Sequence, residues 1–182
     1  MKKSLIAASV LTCAFASSAV MAQTTTPPLV GNSPQALNLV DHSAFFGDTF
    51  TANTQGSMFG DNFTFNVANS GWNLDSIISS ISRDAATGLD ITGLALYGAN
   101  NTLVSSGTMM KNGAMDVWTL SGNNLAAGDY YIKVSGSLVG NTGASFGGAV
   151  MLAPVPEPET YGMLLGGLGV LGFLARRRKM QS

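Results

Sequence analysis

The chain of 182 residues is 46% hydrophobic and only 10% charged, a balance that excludes a disordered or coiled-coil protein and fits one modest domain with apolar ends. Its formal net charge of −1 hides a segregation: Lys2, Lys3, Arg176, Arg177, Arg178 and Lys179 sit at the ends, while Gln23–Pro158 holds eight Asp and Glu157 against Arg83, Lys111 and Lys133, a net of −6. Such a segment repels phosphate backbones, which removes nucleic acid from the partners to consider.

Residues 1–22 open with Met1-Lys2-Lys3, run through an apolar stretch from Leu5 to Val20 and close on Val20-Met21-Ala22. This is the pattern of a secretory signal cut by signal peptidase between Ala22 and Gln23, and it is short for a retained anchor. The one cysteine, Cys13, falls inside it, so the mature chain is expected to have neither a disulfide nor a thiol nucleophile. Residues 23–43, with Thr24-Thr25-Thr26-Pro27-Pro28 and Asn32-Ser33-Pro34, read as a flexible lead-in with an extended piece near Leu37–Val40.

From residue 44 to 153, short apolar or alternating runs are broken by Gly and Asn, the punctuation of an all-β domain. Strands are expected near 45–51, 59–68, 73–82, 89–97, 102–105, 115–120, 130–135 and 145–152, with a hairpin turn at Gly98-Ala99-Asn100-Asn101. In the run 130–135, Tyr130, Ile132 and Val134 share one face and Tyr131, Lys133 and Ser135 the other, as in a half-buried strand. Residues 74–81 are also compatible with a helical turn, but the three Ile favour a strand. Eight such strands make a single β-sandwich of jelly-roll type, with no room for a second domain.

A repeat lies at its start: Phe46-Gly47-Asp48-Thr49-Phe50 returns as Phe59-Gly60-Asp61-Asn62-Phe63, both Phe-x-Asp-x-Phe. On a strand the Asp then shares a face with two Phe rings, so it is buried and needs partners. Three arrangements supply them: backbone N–H groups at a bend beside Gly47 or Gly60, the Arg83 guanidinium, or a bound Ca²⁺ with Asp48, Asp61 and Asn62 as ligands. The glycine before each Asp favours the first. The spacing is not that of a calcium loop, and no metal site or cofactor is expected.

The tail reads Val155-Pro156-Glu157-Pro158-Glu159-Thr160, a charge-free stretch over 161–175, then Arg176-Arg177-Arg178-Lys179. As a helix the stretch would span about 22 Å against a hydrocarbon core of about 30 Å, a thin transmembrane segment whose basic stop (176–179) stays on the cytoplasmic side. Pro156, Glu157 and Pro158, the Gly-rich helix and the cluster Arg176, Arg177 and Arg178 resemble the PEP-CTERM protein-sorting signal of Gram-negative bacteria. That resemblance implies recognition and cleavage by exosortase near the Pro-Glu-Pro, and a host that makes exopolysaccharide. The prolines add a physical reason, since they hold an accessible extended peptide ahead of the helix. The repeat, with Phe46, Asp48, Phe50, Phe59, Asp61 and Phe63, resembles the motif of the FxDxF subfamily of the same proteins. Leu94–Tyr97, Trp118–Gly122 and Leu125–Tyr131 are similar to pieces of secreted prepeptidase-type sandwiches.

Catalytic patterns fail on context. Gly143-Ala144-Ser145-Phe146-Gly147 spells a nucleophile elbow, but a strand follows it and the one histidine, His42, precedes it. Gly167–Gly172 spells a dinucleotide fingerprint inside the tail helix, where small residues serve close helix packing. His42 reads as a solvated turn residue, and Trp72, Tyr97, Trp118 and Tyr131 as packing residues or, on the rival reading, sugar-stacking ones. The expectation is therefore an exported protein that is not an enzyme. It is transiently anchored in the inner membrane, cut by exosortase, and placed at the cell surface or outside the cell among exopolysaccharide or biofilm. The alternative is a membrane-anchored carbohydrate- or calcium-binding module.

Overall fold

The computed structural model describes residues 28–155 and 158–179; Ala22, Gln23, Pro156 and Glu157, and with them the signal-cleavage site, lie outside the described residues. Two sheets pack face to face. One holds β1 (Leu29–Val30), β2 (Gln35–Ala36), β4 (Met58–Val67), β6 (Leu89–Tyr97), β7 (Leu103–Ser106) and β10 (Gly128–Leu138). The other holds β3 (Ser43–Phe50), β5 (Trp72–Ile81), β8 (Thr108–Lys111), β9 (Met115–Leu125) and β11 (Ala144–Pro154).

The main strand orders are β4-β10-β6-β7 and β3-β11-β5-β9-β8, and every neighbouring pair in them is antiparallel. The chain passes from one sheet to the other between β3 and β4, β4 and β5, and β5 and β6, and β11 returns between β3 and β5. That winding closes the two sheets into a β-sandwich, as the alternating strands lead one to expect. The chain changes sheets again at Gly107, whose N–H donates to Leu94 O at 2.7 Å. A Cβ there would press on Leu94 and on Thr119 O, so the crossing needs a glycine.

Alternation decides the core. Phe59, Phe63, Phe65 and Val67 of β4, Leu74 and Ile78 of β5, Leu89, Ile91, Leu94 and Leu96 of β6, and Ile132 and Val134 of β10 are all buried between the sheets. Along β4, β5 and β10 the inward positions are two apart, and on β6 a bulge between Ile91 and Gly93 shifts the phase once, so each strand gives one face to the core and one to solvent. The strand reading of residues 74–81 is the right one, although Ile77 and Ile81 point outward and Ser76 and Ser80 inward. Ser76 meets the cost of burial by donating its hydroxyl to Ala149 O at 2.9 Å. Trp118 and Trp72 pack against the core; Trp118 Nε1 donates to Ile91 O at 3.0 Å, and the Trp72 ring lies 4.5 Å from His42. The turn at 99–101 joins β6 and β7, with Asn100 and Asn101 in the left-handed region that Asn tolerates.

Three expectations need correction. The lead-in is not a flexible tail where it is described: Leu29 and Val30 pair in parallel with Met58 and Phe59, and Gln35 and Ala36 with Phe63 and Thr64. The paired extended pieces lie there; of residues 37–40, Leu37 N–H donates to Thr64 O at 2.8 Å and Val40 forms a bridge with Ser43. Second, β8 was missed because Thr108–Lys111 is exposed throughout and so shows no alternation. Third, the tail does form a helix, α1 (Pro158–Lys179), yet among the described residues no helix is long and apolar enough to cross a membrane. Its charge-free stretch carries Gly162, Gly166, Gly167, Gly169 and Gly172, and a window of spanning length takes in Glu159 or the Arg cluster as well.

Candidate functional site

The two copies of Phe-x-Asp-x-Phe fall on β3 and β4, strands of opposite sheets that face each other across the core. They meet in reverse order. Phe46 packs on Phe63 with ring centroids 4.7 Å apart, and Phe50 on Phe59 at 4.8 Å. Between these two ring pairs the central acids, Asp48 and Asp61, oppose one another. All six motif residues are buried.

The acids are treated unequally. Asp48 accepts hydrogen bonds from the Asn32 backbone N–H (3.0 Å), the Asn32 side-chain amide (2.9 Å) and its neighbour's Thr49 N–H (2.7 Å). Donors therefore do satisfy it, but they come from the lead-in and from Thr49. Arg83 lies in another cleft, with Ile81, Asp84 and Ser145. Asp61 is fully buried at 0% exposure, and neither of its carboxylate oxygens has a hydrogen-bond partner. Burial, and then the charge of Asp48, push its pKa up to about 6; the nearby Asn32 N–H, committed to Asp48, offsets part of this, and the protonated carboxyl, able to donate to Asp48, adds to the rise.

Gly31 and Asn32 close the seam from outside. Gly31 has φ +131°, and its missing side chain leaves the space that the Asp61 carboxylate occupies. The sequence places Asn32 in the Asn-Ser-Pro stretch of a flexible lead-in and gives Gly31 no role; the signal available was the Gly-Asn pair itself, a favoured bend inside that segment. Asn62 sits on the opposite face of β4 beside Lys133 and Ser135, with its N–H donating to Ser33 Oγ at 3.0 Å. It does not join Asp48 and Asp61.

A third buried acid, outside the motif, has no mark in the sequence. Asp116, 1% exposed, accepts from Ile91 N–H (2.9 Å), Gly113 N–H (3.1 Å) and the Ser80 hydroxyl (3.4 Å). Its charge and partial burial raise the pKa of Asp90, burial being the larger cause. Ser145 lies on β11 opposite Thr49, exposed and in extended backbone, so the strand-turn-helix of a nucleophile elbow is absent there. On the outer face of the six-stranded sheet, Tyr97 and Tyr131 are register partners whose rings stack at 5.1 Å and 9°, and the Tyr131 hydroxyl donates to Asn101 Oδ1.

The tail leaves the sandwich at a defined point. Pro154 is the last residue paired with β5, and Val155 N–H donates to Gly71 O at 2.8 Å. Helix α1 starts at Pro158 with Glu159 in its first turn, suited to the positive end of the helix dipole, and Arg176 and Arg177 lie in its last turns with Arg178. Every helix side chain whose environment is described, from Glu159 to Phe173 and at Arg176, is exposed.

Residues 154–179 match a family described as the PEP-CTERM protein-sorting motif. The chain thus carries, at its C-terminus, the sorting signal recognised by exosortase, which marks an exported protein that is processed at the membrane. The match begins at the last residue of β11 and leaves the sandwich, and the FxDxF repeat, unassigned. No curated protein matches the chain. Solved structures that resemble it include the periplasmic inhibitor of g-type lysozyme PliG from Aeromonas hydrophila (11% identity, 70% of this chain and 100% of that one, TM-score 0.44), and the pre-peptidase C-terminal domain of collagenase from Bacillus anthracis (17% identity, 71% and 98%, TM-score 0.34). Likenesses at this level carry no activity across.

Proposed function

We propose that this is a non-enzymatic extracellular protein of the FxDxF kind, a sandwich exported through its N-terminal signal, released or transferred by exosortase, and working in an exopolysaccharide or biofilm matrix. The observation that supports it most is the joint itself: a sorting motif that starts where the last strand ends, so that cleavage near Pro156–Glu159 would release a sandwich with all its strands. Exosortase is the processing partner, and the thin, glycine-rich helix serves as a temporary hold on the membrane. Such a helix is short of a stable anchor and needs the Arg cluster to keep it in place.

The experiment is localisation in an exosortase-bearing host, comparing the intact chain with one in which Arg176, Arg177, Arg178 and Lys179 are replaced by Ser. The reading predicts that the variant fails to reach the surface and medium. Equal surface amounts of the two chains would contradict it.

One observation favours a second reading, carbohydrate binding by the sandwich. Tyr97 and Tyr131 form an aromatic row on the outer face, half-buried and next to Lys133 on the same strand face. Ring faces of this kind stack on sugars, with polar neighbours giving orientation. Retardation of the protein in gels cast with the host exopolysaccharide, lost in Tyr131→Ala, supports this reading; migration unaffected by the polymer removes it.

A further inference from the structure

We propose that the seam between Asp48 and Asp61 is a cation site, and that the ion it fits is Ca²⁺, bridged by the two carboxylates beneath the Gly31–Asn32 strap. Asp61 is a buried acid whose charged form no neighbouring N–H or O–H meets in hydrogen-bonding geometry. Asp61 is at 0% exposure with both oxygens unpartnered, while its fellow Asp116, equally deep, has three donors. An acid buried beside a second acid needs either a donor or a positive charge. The strap's donors are spent on Asp48. Lys133 stands on the outer face of β10, and Arg83 lines a neighbouring cleft, with Thr49 and Phe50, without bonding to either acid, so neither side chain supplies the charge.

The site has oxygen, and room on its Asp48 side: next to Asp48 lies a cavity of ≈ 150 Å³, lined by Gly31, Asn32, Thr49, Thr51 and Thr54 among others, while Asp61 lies just behind that lining, under Gly31, and would reach an ion there by turning its carboxylate toward Asp48. That is space for a few waters as well as an ion. A half turn of the Asn32 amide would present its oxygen in place of the nitrogen that now faces Asp48, a change of orientation only. Among the described residues no three His, Cys, Asp or Glu side chains converge, which disfavours zinc and other metals that want several nitrogen, sulfur or carboxylate ligands. Two carboxylates completed by amide, backbone and water oxygens are a hard-cation set, and the irregular geometry of a strap suits Ca²⁺ better than the strict octahedron of Mg²⁺. Bound there, the ion would tie the strap, β3 and β4 together, and so join both sheets at the edge where they open.

The test uses the full chain purified in detergent, freed of metal by chelator, and titrated with CaCl₂ alone at pH 7.5 while its melting temperature is followed. A weak site of the extracellular kind, with a dissociation constant of about 0.1–1 mM, raises the melting point by about 5 °C at 10 mM Ca²⁺. Asp61→Asn removes that rise while melting, without Ca²⁺, no lower than the parent; Asn32→Ala, which keeps both acids, reduces it. Asp129→Asn, a surface acid outside the seam, keeps it. An unchanged melting point in the parent, an equal rise with KCl at matched ionic strength, or a full rise in Asp61→Asn overturns the proposal. None of these outcomes depends on whether exosortase processes the tail.

Discussion

Phe46 and Phe63 belong to opposite copies of one five-residue motif, yet their rings pack 4.7 Å apart across the two sheets, and Phe50 and Phe59 repeat the contact at 4.8 Å on the far side of the two acids. The repeat is therefore a handshake between β3 and β4 that fixes which sheet faces are inside. Its energy lies in the buried rings, and the adjacent Phe45, 90% exposed, provides the contrast. Phe63→Ala is expected to cost about 3–5 kcal/mol in urea unfolding, and Phe45→Ala less than about 0.5 kcal/mol. Similar losses from the two would show that the motif does not form the core contact described.

The acids between the rings should respond in opposite directions. Asp48→Asn puts a donor where three N–H groups point and is expected to destabilise by about 1–3 kcal/mol. Asp61→Asn removes a like charge, and its amide N–H can donate to Asp48, so in chelator at pH 7.5 this variant should be as stable as the parent or more so. Chemical denaturation of the two variants side by side checks both signs.

The pH dependence follows from the same pair. Asp61 holds its proton up to about pH 6 when folded, against 3.8 in the unfolded chain, so between those values the folded state binds more protons. Its contribution to stability is complete below pH 3.8 and is lost as the pH rises through 6. At about 1.4 kcal/mol per pKa unit, reduced by solvent screening near the strap, about 1–2 kcal/mol disappears. The groups facing Asp61 are the Asp48 carboxylate and the Asn32 amides. In chelator, the stability difference between Asp61→Asn and the parent should grow in favour of the variant from pH 4 to pH 7, and a constant difference would contradict the assignment.

Neighbouring glycines on β11 offer a packing test. A Cβ on Gly148 would meet Ile77 O at 2.7 Å and Phe46 Cζ at 2.9 Å, whereas one on Gly147 would meet nothing within 4 Å. Gly148→Ala is expected to lower stability by about 1–3 kcal/mol, and Gly147→Ala to leave it unchanged or raise it slightly. Thermal melts of the two variants decide this.

Much of the sandwich could be read from the sequence because its strands obey the period of two: Phe63, Phe65 and Val67, or Ile132 and Val134, announce both strand and face. Where burial departs from hydrophobicity the signal fails. Ile77 and Ile81 point outward, and Thr108–Lys111 has no buried face to mark it. The acid puzzle was visible in the spacing of Asp48 and Asp61, but its resolution was not, since Gly31 and Asn32 reach the seam only through tertiary placement of a Pro-rich segment. The tail was legible for another reason, as the Pro-Glu-Pro triplet, an apolar stretch and a basic cluster are ordered along the chain and need no tertiary contact. What the count of apolar residues overstated was the helix's fitness to cross a membrane, because glycines dilute it.

The central claim, that the tail delivers the sandwich and is then removed, is tested most directly by intact mass spectrometry of the protein recovered from the surface and medium of its native host, with and without exosortase. The account predicts a chain ending near Pro156–Glu159 in the parent strain and none so ending when the enzyme is deleted. A chain that still carries Arg176–Lys179 in both strains would contradict it.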